Sequence, residues 1–270
     1  MSVPLSDDAS SGFVLRRSGG GFSASSSYAA YSSQTSSWAE PPFGFTKEDL
    51  SPFFDRVVIS SLRYPRKSDY DMTSIQLFAR TTVGVSGWKI KTHSGDVSIP
   101  LAIEKYAPGS SLEKNIVLQE GQTLSLFGHY RFATYQHAFG KNLRLNQCTG
   151  YLNNLYTFDP KLPERCPRID REALSAFSGA CQSFLLRLGT CAVPTSAQIS
   201  EFQGDAACQS FMRNKFGYGL CYEAYKNDDD FFLNDWYAWI RPQGQIPLAR
   251  DHDRVLLFDS NGLLVDEFTY

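Results

Sequence analysis

Outside residues 148–221 the chain has no cysteine, and inside that window no two cysteines stand closer than ten positions. A zinc site is announced by close pairs such as Cys-x-x-Cys, whose short loop sets two thiolates on one metal. That spacing is missing, and none of the 4 histidines falls inside the window. No run of about 18 apolar residues occurs, so no segment reads as a membrane-spanning helix. Neither charge sign dominates: 26 Lys and Arg face 28 Asp and Glu, for a net charge of −2 and a pI near 6.1. Bulk coating of nucleic acid or of an anionic membrane is therefore not expected. The start, Met1 to Arg17, lacks the charged head, apolar stretch and cleavage site of a secretory leader. A Gly-x-Ser-x-Gly nucleophile turn, a glycine-rich phosphate loop, a His-Glu-x-x-His pair and a calcium-loop pattern are absent too. The expectation is a non-enzymatic protein with no cofactor and no metal site.

What the window does contain is an even set: Cys148, Cys166, Cys181, Cys191, Cys208 and Cys221. Clustered, widely spaced cysteines read as a framework of three disulfides, hence an oxidising compartment outside the cytoplasm. Fifteen pairings are possible and spacing does not choose among them. The missing leader fits a mature or truncated ectodomain, with Met1 an expression start and a membrane tether lying in a segment outside this sequence.

Along the 270 residues the text changes character three times. Residues 1–45 read as a flexible spacer, with 13 serines among the first 40 and the triplet Gly19-Gly20-Gly21. Residues 46–139 then carry short alternating runs: Val57–Leu62, Ser74–Ala79, Gly87–Lys91, Val97–Pro100, Ile116–Leu118 and Thr123–Phe127. Turn residues separate them at roughly ten-residue intervals, the pattern of an all-β sandwich. From 140 to 232 the period becomes helical. One helix is expected from Asp170, presenting Leu174, Phe177, Cys181, Phe184, Leu185 and Leu188, with a stop at Gly189. A second opens on the capping box of Thr195 and Gln198 and runs past Cys208 and Met212; a third short one carries Cys221. Residues 233–270 return to strands, with a hairpin across Asp259-Ser260-Asn261-Gly262. The fold class expected is mainly β, a sandwich with an inserted, disulfide-stapled helical subdomain.

The blocks Val57–Leu62, Ser74–Phe78 and Val85-Ser86-Gly87-Trp88-Lys89-Ile90, followed by Leu118–Leu124 and Asp253–Asp266, resemble the lamin-tail domain family in its bacterial, extracytoplasmic form. The resemblance covers residues 55–130 and 235–270 and implies an immunoglobulin-like sandwich. It departs from the family pattern at Ser74, where an acidic residue is usual, at Ala79-Arg80, where an asparagine is missing, and in the size of the insertion. Gly87, Trp88, Gly121 and Gly262 are read as fold signature: a ring to fill the space between sheets, and turns that need positive φ.

Three surfaces compete as sites. Trp236, Tyr237 and Trp239 belong to the densest aromatic cluster, which suits a wet carbohydrate or peptide site as well as a core. Arg165 and Arg168 lie in a segment, 128–171, where seven cations outnumber three acids. Such an excess suits phosphate, envelope polymers or acidic glycans. The run Asn227-Asp228-Asp229-Asp230 and the cluster Asp251-His252-Asp253 read as solvated loops rather than metal sites. The expected function is a binding or structural module displayed at a cell surface, recognising a protein or glycan of the envelope. The alternatives are a metal-dependent envelope hydrolase or nuclease, and a subunit of a pilus or surface layer.

Overall fold

Alternation in Thr73–Ala79 becomes a strand in which every second side chain is buried, and the same rule builds most of the sheets. The structure, a computed structural model, describes residues 13–18, 21–22, 40–64, 72–107, 112–128, 140–240, 246–249 and 252–270. It is mainly β and carries three disulfides.

In chain order the longer strands begin with β1 (Phe13–Ser18), β2 (Val57–Tyr64), β3 (Thr73–Ala79), β4 (Lys89–Thr92) and β5 (Gly95–Ser98). They continue with β6 (Thr123–Gly128), β7 (Leu143–Asn146), β8 (Phe232–Trp239), β9 (Arg254–Phe258) and β10 (Leu264–Thr269). The helices are α1 (Gly179–Arg187), α2 (Ser196–Ser200), α3 (Ala206–Lys215) and α4 (Tyr218–Tyr225). The chain divides into two compact units: Met1–Leu101 with Asn115–Arg131 and Tyr237–Tyr270, and Ala102–Lys114 with Phe132–Trp236.

In the first unit, β2, β3 and β6 pair antiparallel, with β3 in the middle. A second antiparallel sheet runs β10-β9-β4-β5. The Ile59 amide of β2 donates to the Asp266 carboxylate of β10 at 2.7 Å, tying one sheet to the other. Trp88 is buried, its ring 5.8 Å from that of Phe53. The expected hairpin forms between β9 and β10. Its turn is closed by the Asp259 carboxylate, which accepts from the Asn261 and Leu263 amides at 2.8 and 3.0 Å. Gly121 and Gly262 have φ of +80° and +81°, the left-handed values their turns require.

One expectation fails here. Part of the stretch read as spacer is strand: β1 pairs antiparallel with the Ser61–Tyr64 end of β2. Phe13-Val14-Leu15 is a short β-prone run inside serine-rich text, and a sheet edge offers it unpaired amides and carbonyls. Tyr28, Tyr31 and Trp38 of the same stretch lie outside the described residues.

In the second unit the bridges are Cys148–Cys221, Cys166–Cys191 and Cys181–Cys208, and no described cysteine is free. Cys181 and Cys208 join α1 to α3 inside an apolar cluster with Leu185, Ile199, Met212 and Phe216. The first helix is shorter than expected. Leu174 sits in a single 3-10 turn, and α1 begins only after Ser178, whose hydroxyl accepts from the Cys181 amide at 3.3 Å. Asp170 does not cap it; its carboxylate closes a local turn on the Glu172 amide at 3.0 Å. The second expected helix is two. The Thr195–Gln198 capping box forms and opens α2, but Gly204-Asp205 interrupts the run and Asp205 starts α3 afresh through the Cys208 amide, 2.9 Å away. β7 is a strand the periodicity did not disclose; it pairs in parallel with the short strand Ala102–Ile103.

Candidate functional site

A cleft in the second unit is built on the Cys166–Cys191 bridge. Three local contacts set that bridge in place. Asn153 brackets Leu162, its amide nitrogen donating to the Leu162 carbonyl at 2.8 Å and its oxygen accepting from the Leu162 amide at 3.1 Å. Asn154 donates to the Cys191 carbonyl at 2.9 Å. Gly150 lies so close to the bridge that a Cβ there would stand 2.3 Å from the Cys191 sulfur. With Cys191 at a φ of +60°, the chain turns sharply beyond the end of α1.

The result is a cleft of about 310 Å³ between the Cys166–Arg171 segment and the C-terminal half of α1. Its floor is the bridge with Leu185 and Phe216; one wall is Leu186, half exposed, with Leu188. Arg168 and Arg171, both exposed, also line it. A much smaller hollow shares Tyr151, Pro167, Ile169 and Phe216 with it and adds Lys215. No carboxylate is among the described residues lining either hollow. The guanidinium groups of Arg168 and Arg171 have no ion-pair or hydrogen-bond partner among the described residues, whereas that of Arg165 lies 3.9 Å from Asp235. Burial pushes the Tyr151 hydroxyl pKa up, with Tyr225 adding to the effect, so this group stays a neutral donor at physiological pH.

The other sequence candidates fall elsewhere. Trp236 and Trp239 are interior side chains, 1% and 2% exposed, while Tyr237 is half-buried with its ring edge-on to Phe127 at 4.9 Å. Composition and alternation could not separate core from surface here, because neighbouring positions of one strand supply both. Arg144, counted only as one charge of the basic segment, has a specific place: its guanidinium lies 4.3 Å over the Phe232 ring and 3.5 Å from Glu104. Burial lowers its pKa and Glu104 opposes that shift. Asn227 to Asp230 form an exposed turn. His252 is exposed, but Asp253 is not part of a solvated loop. It is buried and accepts from the His93, Ala249 and Arg254 amides at 3.1, 3.0 and 2.8 Å. A carboxylate holding three backbone donors is a structural clamp, and its neighbours in sequence gave no sign of it. Asp251, His129, His137 and Arg131 lie outside the described residues.

Among the described residues, the ligand-type atoms of Cys181, Asp205 and Cys208 come within 4.8 Å of one another. The two sulfurs are bonded to each other, and the Asp205 carboxylate accepts from the Cys208 and Ser178 amides. That trio is a bridge and a helix cap. No protein-family model matches the chain, and no curated protein does either.

Proposed function

We propose that the chain is a non-catalytic binding module working in an oxidising space at a cell surface, with the cleft of the cysteine-bearing unit as its recognition site. The observation that carries this is the bridge-built cleft itself. Three disulfides point to an oxidising environment. One of them forms the floor of a cleft that leaves an exposed leucine and two guanidinium groups, without a side-chain partner among the described residues, facing solvent.

Within the same reading, the first unit is an immunoglobulin-like sandwich of the lamin-tail type and the cysteine-bearing unit is a helical insertion into it. Two antiparallel sheets tied through Asp266, a buried Trp88 and left-handed glycines at 87, 121 and 262 support that assignment. The partner is a protein or glycan of the envelope.

Location is the part most directly tested. Intact cells of the native host are treated with a protease and with a membrane-impermeant amine label, and the protein is then recovered under thiol-blocking conditions. Labelled, protease-sensitive protein with no titratable thiol is expected. Protein that is shielded in intact cells and carries six free thiols overturns the reading.

A further inference from the structure

We infer that the cleft over the Cys166–Cys191 bridge takes an acidic peptide segment, seating one apolar side chain between Leu186 and Leu188 and placing adjacent carboxylates on Arg168 and Arg171. The inference rests on the binding-module reading and adds the ligand class to it.

Charge complementarity gives the sign. The described lining holds Arg168 and Arg171, with Lys215 in the adjoining hollow, and no carboxylate; Asp170 and Glu172, beside Arg171 in the chain, are exposed and outside it. A guanidinium presents donors in a planar fork that matches a carboxylate, so two of them three residues apart suit two carboxylates, or one held from both sides. Arg165 is not part of this pair, since Asp235 already faces it.

The apolar part decides between peptide and glycan. Many carbohydrate sites offer an exposed aromatic ring, whose apolar face and polar edge suit a wet surface. The aromatic rings of this cleft, Tyr151 and Phe216, are only 6% and 8% exposed and offer no open face. What is open is aliphatic: Leu186 is 50% exposed. An aliphatic wall beside two cations fits a hydrophobic side chain flanked by Asp or Glu. The volume, about 310 Å³, stands at the lower edge of the range for ligand sites, roughly 300–1,000 Å³. That is room for one anchoring side chain rather than for a run of sugar rings.

The test uses the full oxidised chain and three probes: a blocked hexapeptide of alternating glutamate and leucine, its lysine–leucine counterpart, and trigalacturonate as an acidic glycan. Binding is followed by calorimetry, and methyl shifts report whether Leu186 is touched. The expected result is binding of the glutamate peptide that shifts the Leu186 methyls and weakens as salt rises. In the exposed-site double variant R168Q/R171Q, with an unchanged melting transition, affinity should fall at least about tenfold, or roughly 1.4 kcal/mol. No binding of the glutamate peptide, equal binding of the lysine peptide, stronger binding of trigalacturonate, or an unaffected double variant each overturns the inference. If the protein is also surface-accessible and fully bridged, such a failure removes the acidic peptide alone. A cytoplasmic, thiol-bearing protein removes the module reading whatever the peptides do.

Discussion

At Gly150 the absence of a side chain is a steric requirement. A Cβ would stand 2.3 Å from the Cys191 sulfur and 2.9 Å from the Pro163 carbonyl oxygen, and neither a bridged sulfur nor a backbone oxygen can swing away. Gly150→Ala should therefore destabilise the cysteine-bearing unit by about 1–3 kcal/mol or more, the usual range for overpacking a tight interior. Urea unfolding of the oxidised protein measures it; a midpoint within error of the parent chain would refute the close approach. Buried carboxylates show the complementary device. Asp253 and Asp259 are each less than a tenth exposed, and each carboxylate accepts from two or more backbone amides. A charge taken out of water in this way is tolerable because several donors converge on it. Their partners lie in distant segments as well as in adjacent turns: Asp259 also accepts from the Ser51 hydroxyl at 2.7 Å. The His93 amide lies 160 positions from Asp253, and a contact at that range leaves no mark on local pattern, which is why Asp253 looked like loop.

Short helices in the second unit depend on their caps, since a segment of five to ten residues is too short to hold itself. Asp205 is the most informative of these caps. Its hydrogen bonds to the Cys208 amide, the Ser178 hydroxyl and the Ser178 amide hold its pKa below the ordinary aspartate value of about 3.9. Because the folded pKa is depressed, the stabilisation is present above the ordinary value and is lost as pH falls through the depressed one. Helical ellipticity should thus decline on the acid side of pH 4, and Asp205→Asn should flatten that decline relative to the parent; an identical acid limb in both would refute the cap. This element also shows what local text can and cannot disclose. Thr195 and Gln198 announced α2, and the hairpin turn at Asp259–Gly262 announced β9 and β10, because in each case the stabilising contact lies within four residues. The signal that would have split α2 from α3, glycine followed by a capping aspartate, was present at Gly204-Asp205 and was overridden by apolar spacing. β1 and β7 were invisible because their partners, β2 and Ala102–Ile103, are about 40 to 50 residues away. The cleft was half legible: the basic segment containing Arg168 and Arg171 was apparent. Its apolar wall was not: Leu188 was placed on the apolar face of the first helix, and the exposed Leu186 was not singled out.

For the molecule as a whole, covalent and non-covalent stabilisation are divided between the two units. All six cysteines belong to the second and none to the first. Each bridge contributes about 2–4 kcal/mol, so three contribute roughly 6–12 kcal/mol, as much as the whole stability of a typical domain. Mild reduction should then release the second unit while the first keeps its fold. Hydrogen exchange with and without reductant checks this: amides of α1, α3 and α4 should lose protection while those of β2, β3, β9 and β10 keep it. Simultaneous loss in both units, or loss in neither, would contradict the division. The pairing has a further consequence. Cys148–Cys221 spans 73 positions and encloses the other two bridges, which interleave because Cys181 lies between Cys166 and Cys191. A peptide bond cut anywhere from 149 to 220, at exposed Leu155 or Leu186 for instance, leaves both pieces on one molecule. Where proteases are plentiful, such a nick does not shed a fragment; the clipped chain still travels as a single body, and only a reductant parts it.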